Sequence, residues 1–485
     1  MQCAYLLLTY CANTRATYLL RALPPILTQA FARAHDAAAA ATLAHLLGHG
    51  APGLPDAPLA RARLPFRCGG LGLRSAADSR HEAHWASWAD TLPTLQNRLP
   101  GLADHILHLL TGEARAIPAD VDAARRAATA VRNAGFAVPP WEALPAAPPP
   151  HPNDGRLPDP ARGWQRAACH ARDNAEFAAL LSTLDTAGRA LMLSQAGTHA
   201  SRAITAFPTA IEFRFENPLF RILLLRRLRL PLPPTAHTCS CRRPLDALGD
   251  HRAACAQAGV LRSRAVPLER ALARICCEAG ARVATNVPLS RMNLDAPILD
   301  HRTIEVLANG LPLFHGAQLA VDTTLVSPVG RDGTARVQAH LIPGAALTAA
   351  EQRKRRYVYP ELHTAARCRL VIIALEIGGR WSEEAADFIR RAASARARGD
   401  PVSLRRAAAA AYAHRWVGIA SVAAQRALAS SLLELPVSED GVDGEEADFP
   451  TVLAEAPLTR ADGQKGVRGG KKNKKKQTCI ASDAS

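Results

Sequence analysis

A chain of 485 residues is long enough for two to four domains with sizeable cores, and its formal charge of +16 makes a polyanion the natural partner, nucleic acid ahead of a membrane surface. No window reaches about 18 uncharged apolar residues, which excludes a membrane span. Eleven scattered cysteines are an odd number, which argues against a disulfide framework and for reduced thiols inside a cell. Ala, Leu and Arg dominate a composition that is 48% hydrophobic and only 5% aromatic, so helices are favoured.

Residues 1–135 read as helical. "ATYLLRALPPILTQAFARAHDAAAAATLAHLL" carries apolar residues at helical spacing, with Pro24 and Pro25 marking a break or the first turn of a new helix. After a loop containing Gly69, Gly70 and Gly72, the stretch Ser75 to Trp88 predicts a capped helix. Trp85 and Trp88, three residues apart on it, read as core rather than as base-stacking platforms. The opening residues are apolar, but Arg15 and Arg21 interrupt them and no basic region precedes them, so no signal peptide is expected.

Residues 136–162 are so rich in proline that they predict a linker. Helical pattern resumes over 163–234, ending in "NPLFRILLLRRLRLPLPP", where Pro231, Pro233 and Pro234 are expected to isolate the cysteine-containing segment beyond them from the preceding helix. An amphipathic helix with Gly280 near its end opens the region 259–433. The β-rich stretches "TIEVLAN", "AQLAVDTTLVSP" and "CRLVIIALEIGG" come next, and then two Ala-rich helices separated by Gly399–Pro401. Residues 434–485 turn acidic and then basic ("KKNKKK"), a pattern expected to be disordered, its basic block read as a nuclear localisation signal, a polyanion grip or a solubilising tail without function.

Between these regions, at 235–258, lies "CSCRRPLDALGDHRAAC". Its C-x-C-x9-H-x3-C spacing places Cys239, Cys241, His251 and Cys255 in one compact run. Two cysteines can bind from either side of a turn, and residues four apart share one face of a helical turn, so the four can converge on one tetrahedral ion. A closed four-ligand set implies a structural ion, zinc first, with three buried thiols near an exposed histidine as the plain alternative.

The stretch "RTIEVLANGLPLFHGAQLAVDTTLVSP" predicts a hairpin centred between Leu313 and Phe314. That register sets Glu305 opposite Asp322, with Cβ atoms about 5 Å apart on one face. Facing carboxylates repel unless a proton or a divalent cation lies between them, and Mg²⁺ is the usual oxygen-ligated solution. Downstream, "EQRKRRYVYPEL" supplies Lys354, three arginines and Tyr359, groups able to bind phosphate, and Glu376 adds an acid at a strand end. Solvated strand carboxylates remain the plain alternative.

In order, "LLRALPP", "LPFRCGGLGLRSA", "HWASWAD", the Cys/His run, the two acids, "RKRRYVYPEL" and "EIGGRW" resemble the C-terminal portion of proteins encoded by non-LTR retrotransposons of the restriction-like-endonuclease class. The resemblance spans roughly residues 1–432. It implies a reverse-transcriptase thumb-like region, a helical linker, a CCHC zinc knuckle at Cys239, Cys241, His251 and Cys255, and an α+β endonuclease domain related to the PD-(D/E)XK fold. Within that domain it implies Glu305 and Asp322 as the metal-binding acids, with Lys354 and Tyr359 as the basic and tyrosine partners. Ile304 stands where the family has Pro, and Thr323 and Thr324 follow Asp322 where many relatives of the fold carry a lysine. No Tyr/Phe-Ala-Asp-Asp run occurs, so no polymerase activity is expected of this chain. Three readings are then open: a Mg²⁺-dependent DNA endonuclease in the nucleus, a DNA- or RNA-binding remnant without chemistry, or a merely structural relic that does neither.

Overall fold

A computed structural model describes residues 1–50, 53–112, 117–145, 163–233, 238–256, 260–292, 294, 300–365, 367–436 and 448–455. The N-terminal part is helical: α1 (Gln2–Leu7), α2 (Ala16–Ala22), α3 (Pro25–Leu46), α4 (Asp56–Arg63), α5 (Ala76–Arg98), α6 (Pro100–Thr111) and α7 (Ala119–Asn133). Pro25 opens α3 at its first helical position, where a missing N–H costs nothing. Ser75 caps α5 by accepting from the Asp78 N–H. Asp36 of α3 reinforces that end, accepting from the Ser75 hydroxyl at 2.6 Å and the Ala76 N–H at 2.7 Å.

Trp85 is fully buried, its ring 5.5 Å from Phe136 and 5.7 Å from Trp164. The start of the expected linker is therefore part of the fold: Phe136, Val138 and Trp141 pack on the cluster around Trp85, and Leu144 is buried within it. Aromatic area overrides the proline signal there. Residues 146–162 lie outside the described residues.

Helices α8 (Trp164–Thr183), α9 (Thr186–Gln195) and α10 (Asn217–Leu228) lead to the short α11 (Asp250–Ala254) and then α12 (Val260–Glu278). The sheet comes after them, with strands β1 (Arg282–Pro288), β2 (Thr303–Asn309) and β3 (Gln318–Val326) antiparallel in sequence order. After α13 (Ala345–Arg353), a π-helical turn and α14 (Pro360–Thr364), strand β4 (Cys368–Glu376) pairs parallel to β3. A crossover is what a parallel neighbour requires. Helices α15 (Glu383–Arg396) and α16 (Arg405–Leu432) are next, and α17 (Phe449–Ala454) closes the described chain.

The fold class is thus mixed, mainly helical with one four-stranded sheet. β1 had no sequence signal because Asn286, at φ 52°, and Pro288 break its pattern. One face of the sheet (Val306, Val321, Val371, Ile373) joins a continuous core with α10, α12, α15 and α16. The other face (Leu307, Ala320, Leu370, Ile372) packs with Leu347, Tyr359 and Leu362 of the crossover. Strands buried on both sides read as unbroken apolar runs, as "CRLVIIAL" does.

The tail expected from residue 434 onward contains an ordered piece. Asp448 caps α17, Val452 is buried, and Glu455 pairs with Arg415 of α16 at 2.6 Å. Arg415, also 2.6 Å from Glu212, is 1% exposed, so Glu455 helps to neutralise a charge sealed inside the core. Residues 437–447 and 456–485, including the basic block, lie outside the described residues.

After β4, the "GG" of "EIGGRW" brings the chain against α9. A Cβ on Gly378 would stand 2.2 Å from Ser194 Oγ, and one on Gly379, at φ 102°, would stand 2.2 Å from the Ala200 carbonyl oxygen. Arg380 then donates to the Leu193 carbonyl at 2.9 and 3.0 Å. Gly378→Ala is expected to cost about 3 kcal/mol in chemical denaturation, because backbone must move to admit a methyl. Gly399→Ala, whose Cβ meets only an Arg396 guanidinium nitrogen at 3.9 Å, should stay within about 0.5 kcal/mol of wild type.

Candidate metal and carboxylate sites

The ligand atoms of Cys239, Cys241, His251 and Cys255 lie within 4.8 Å of one another, an arrangement that can hold a metal ion such as zinc. Cys239 Sγ and Cys255 Sγ are 3.8 Å apart. Two sulfurs at about 2.3 Å from a tetrahedral zinc are separated by roughly 3.8 Å, so that edge already has the right length. His251 Nε2 faces Cys241 Sγ at 3.2 Å, while Nδ1 lies 2.7 Å from the Arg331 carbonyl oxygen. Donation from Nδ1 fixes the tautomer that presents Nε2 to the metal. Burial works against ionisation of the Cys239 thiol, but hydrogen bonds from the Cys241 backbone and from His251 outweigh it and bring the group down to about 6.

Asp246 builds the histidine's helical turn. Its carboxylate accepts from the N–H groups of Leu248, Asp250 and His251 at 3.0, 3.0 and 2.7 Å. Burial alone would push its pKa up, yet those three donors and Arg226 hold it below the usual carboxylate range. Gly249, at φ 72°, begins the turn where any Cβ would meet Leu432 at 2.8 Å and Leu232 at 2.9 Å.

The knot is not isolated from the preceding helix, contrary to the reading of Pro231, Pro233 and Pro234. Asp250 receives Arg229 at 2.7 Å and Arg226 at 3.1 Å, both from α10 or its end, and Arg226 also donates to the Leu248 carbonyl. The helix ends at Leu228 with Arg229 left-handed at φ 62°, two residues before Pro231, so its last turn is free to reach forward; Pro234 lies outside the described residues. From the other side, buried Arg264 of α12 donates to the carbonyls of Arg252 and Ala253 and to Ser431 of α16. Asp246, Arg264 and the Arg331 carbonyl were missed in the sequence. Asp246 had a local signal, an Asx residue just before Gly249; the other two are set by tertiary packing alone.

The second site sits on the crossover face of the sheet. Val306 pairs with Val321, the register that the hairpin centre predicted; Glu305 and Asp322 are the residues next beyond that pair, on adjoining strands, where the ladder ends. Asp322 has no exposed surface. Lys354 Nζ lies 3.0 and 2.8 Å from its two oxygens, and the Tyr359 hydroxyl lies 2.9 Å from Oδ1 and 3.0 Å from the Thr303 carbonyl. A π-helical turn, Lys354–Val358, closed by the Tyr359 N–H to the Lys354 carbonyl, carries both groups to the one carboxylate. Glu305 accepts from the Thr323 backbone N–H.

Burial pushes the Glu305 pKa up, the charges of Asp322 and Glu269 add to it, and the result is about 8. Burial also raises Asp322, opposed by Lys354 and Tyr359. The Tyr359 hydroxyl is pushed up by burial and by the adjacent Asp322 charge. Glu269, on α12, is a further acid whose proximity the sequence did not disclose.

Glu376 does not join the pair. It is paired with Val326, four residues beyond Asp322 along the sheet, which is roughly 13 Å. Burial pushes it up to about 7 against the pull of Arg380. Arg355 is committed to Glu384, leaving Arg353 and Arg356 exposed.

Among the described residues no helix is long and apolar enough to cross a membrane. Neither a protein-family model nor a curated protein matches the chain.

Metal analysis of protein purified without chelator should find one zinc per chain, and Co²⁺ should give a visible thiolate–cobalt spectrum. Cys255→Ser should abolish both and lower the melting temperature, because the metal contributes to folding. A second expectation concerns pH. Glu305 has a folded pKa of about 8 against an ordinary 4.5, so the folded state holds a proton that the unfolded state has lost. Its contribution to stability is present below pH 4.5 and falls away as pH rises toward 8. Glu305→Gln should therefore raise the melting temperature at about pH 8.5 more than at about pH 5.

Proposed function

We propose that this chain is a retrotransposon-type nucleic-acid-binding protein whose region 259–433 is a Mg²⁺-dependent DNA endonuclease of the PD-(D/E)XK kind. The observation that carries the reading is Asp322 at the sheet centre, held by Lys354 and Tyr359, with Glu305 on the adjoining strand. These are the four groups the resemblance assigns to catalysis, and they come from three separate stretches of sequence. A fully buried and a half-buried carboxylate on neighbouring strands, the second pushed up by burial and by the charge of the first, are an oxygen donor set suited to a hard divalent cation.

Glu305 and Asp322 would hold the ion. When bound, Mg²⁺ supplies charge neutralisation of the phosphodiester and a water acidified for attack. Lys354, released from its ion pair with Asp322, is then free to stabilise the developing negative charge on the phosphate, and Tyr359 keeps Asp322 in place through its hydroxyl. The knuckle, with the exposed Arg242 and Arg243 at its tip, offers a second contact for the DNA backbone. A DNA substrate and the basic block at the C terminus make the nucleus the place of action.

One observation favours the other reading, a binding protein without chemistry. Asp322 is fully buried and already neutralised by Lys354, so a cation has to displace an internal partner before it binds.

Supercoiled plasmid in Mg²⁺ or Mn²⁺ tests the proposal. The full chain should nick it, and Glu305→Gln and Asp322→Asn should each reduce the rate on the order of 100-fold or more while DNA binding persists. Equal nicking by all three proteins, or no nicking by zinc-loaded wild type, rejects the endonuclease. At limiting Mg²⁺ the rate should rise with pH through about 8, because the metal competes with the Glu305 proton, and more Mg²⁺ should move the rise to lower pH.

A further inference from the structure

The segment that delivers Lys354 and Tyr359 inward presents a different set of side chains outward. Arg353, Arg356 and Tyr357 are exposed, and Tyr357 has 78% of its surface free. Arg353 and Tyr357 are four residues apart across the π-helical turn, which places them on one side of it. Among the described residues after 259, Tyr357 is the one exposed Phe, Tyr or Trp side chain. The others, Tyr359, Trp381, Phe388, Tyr412 and Trp416, are buried, and Phe314 and Phe449 are half-buried. Arg355, by contrast, faces Glu384. Two outward guanidinium groups and an uncovered ring therefore occupy the turn whose inner side grips Asp322.

We propose, on the basis of the endonuclease reading, that Tyr357 stacks on an unpaired nucleobase next to the cleaved phosphate. Arg353 and Arg356 hold the flanking phosphates. An exposed ring can meet the flat face of a base only where that face is not covered by its neighbours in a duplex, so the contact selects DNA with unpaired bases. Every base has such a face, so the preference is for structure and not for sequence. The arginines add attraction that depends on salt and is blind to pairing. Lys354 and Tyr357 belong to one π-helical turn, three residues apart, so stacking at Tyr357 would set the unpaired base near the reacting phosphate.

The test compares two DNAs of identical length and phosphate count, a fully paired duplex and the same duplex with a central mismatched bubble. Binding is read by fluorescence anisotropy with the full chain carrying Glu305→Gln, so that no strand is cut. The bubble should bind more tightly, and Tyr357→Ala should weaken bubble binding about tenfold while leaving the paired duplex unchanged. Tyr357→Trp should keep the preference. Arg353→Ala and Arg356→Ala should weaken both DNAs alike and each lower the salt slope by about one. If Tyr357→Ala affects both DNAs equally, affects neither, or if the bubble holds no advantage, the proposal fails. The endonuclease reading fails separately, on absence of nicking by the wild-type chain, because the anisotropy comparison requires no cleavage.

Discussion

A carboxylate with no exposed surface, lodged between two paired strands, is the constraint around which the C-terminal half is organised. Asp322 cannot keep its charge in an apolar sheet unless a cation and hydrogen-bond donors are brought to it, and an unpaired buried charge costs several kcal/mol. Lys354 and Tyr359 meet that demand from the crossover between β3 and β4, which otherwise needs only to carry the chain to a parallel strand. The π-helical turn exists where those two groups must face the same oxygen. Glu305 accepts from the Thr323 N–H, and burial together with the charges of Asp322 and Glu269 pushes its pKa up.

The rest of the molecule packs against that sheet. One core runs from Tyr5 through α10 and α12 to α16 and Val452, so the N-terminal helices and the sheet share packing. The cysteine and histidine knot is built into the same body: α10 supplies Arg226 and Arg229, α12 supplies Arg264, and the loop after β3 supplies the Arg331 carbonyl. A zinc bound at Cys239, Cys241, His251 and Cys255 would therefore tighten the loop leaving the strand that carries Asp322. Buried charge is handled in the same way throughout, as at Arg415, where Glu212 and Glu455 converge from distant stretches of sequence.

Much of this was legible because it is local. The hairpin register came from the loop's midpoint, and with it the placing of Glu305 and Asp322 on adjoining strands, each one residue past the Val306–Val321 pair. The knot came from ligand spacing, the capped α5 from Ser75, and the break before α3 from Pro24 and Pro25. The features that escaped are tertiary. Phe136 and Trp141 sit in a proline-rich stretch that composition marks as a linker, yet Trp85 gives them a surface to cover. The cap at Asp448 closes an acidic run, and the buried Val452 follows it in a short apolar stretch that composition assigned to the tail. Lys354 was identified as a candidate, but nothing in its spacing from Asp322 shows that the two meet. Glu269 and Glu305 lie on different elements, and only the packing of α12 against the sheet lets their charges interact.

The central claim is that Glu305 and Asp322 form one cation site from which a proton must leave. Calorimetric titration of Mn²⁺ into zinc-loaded protein at about pH 7, in two buffers of different ionisation enthalpy, counts the protons released. The account predicts one Mn²⁺ at this site with close to one proton released, both lost in Glu305→Gln. Binding without proton release, or binding unchanged in that variant, would contradict it.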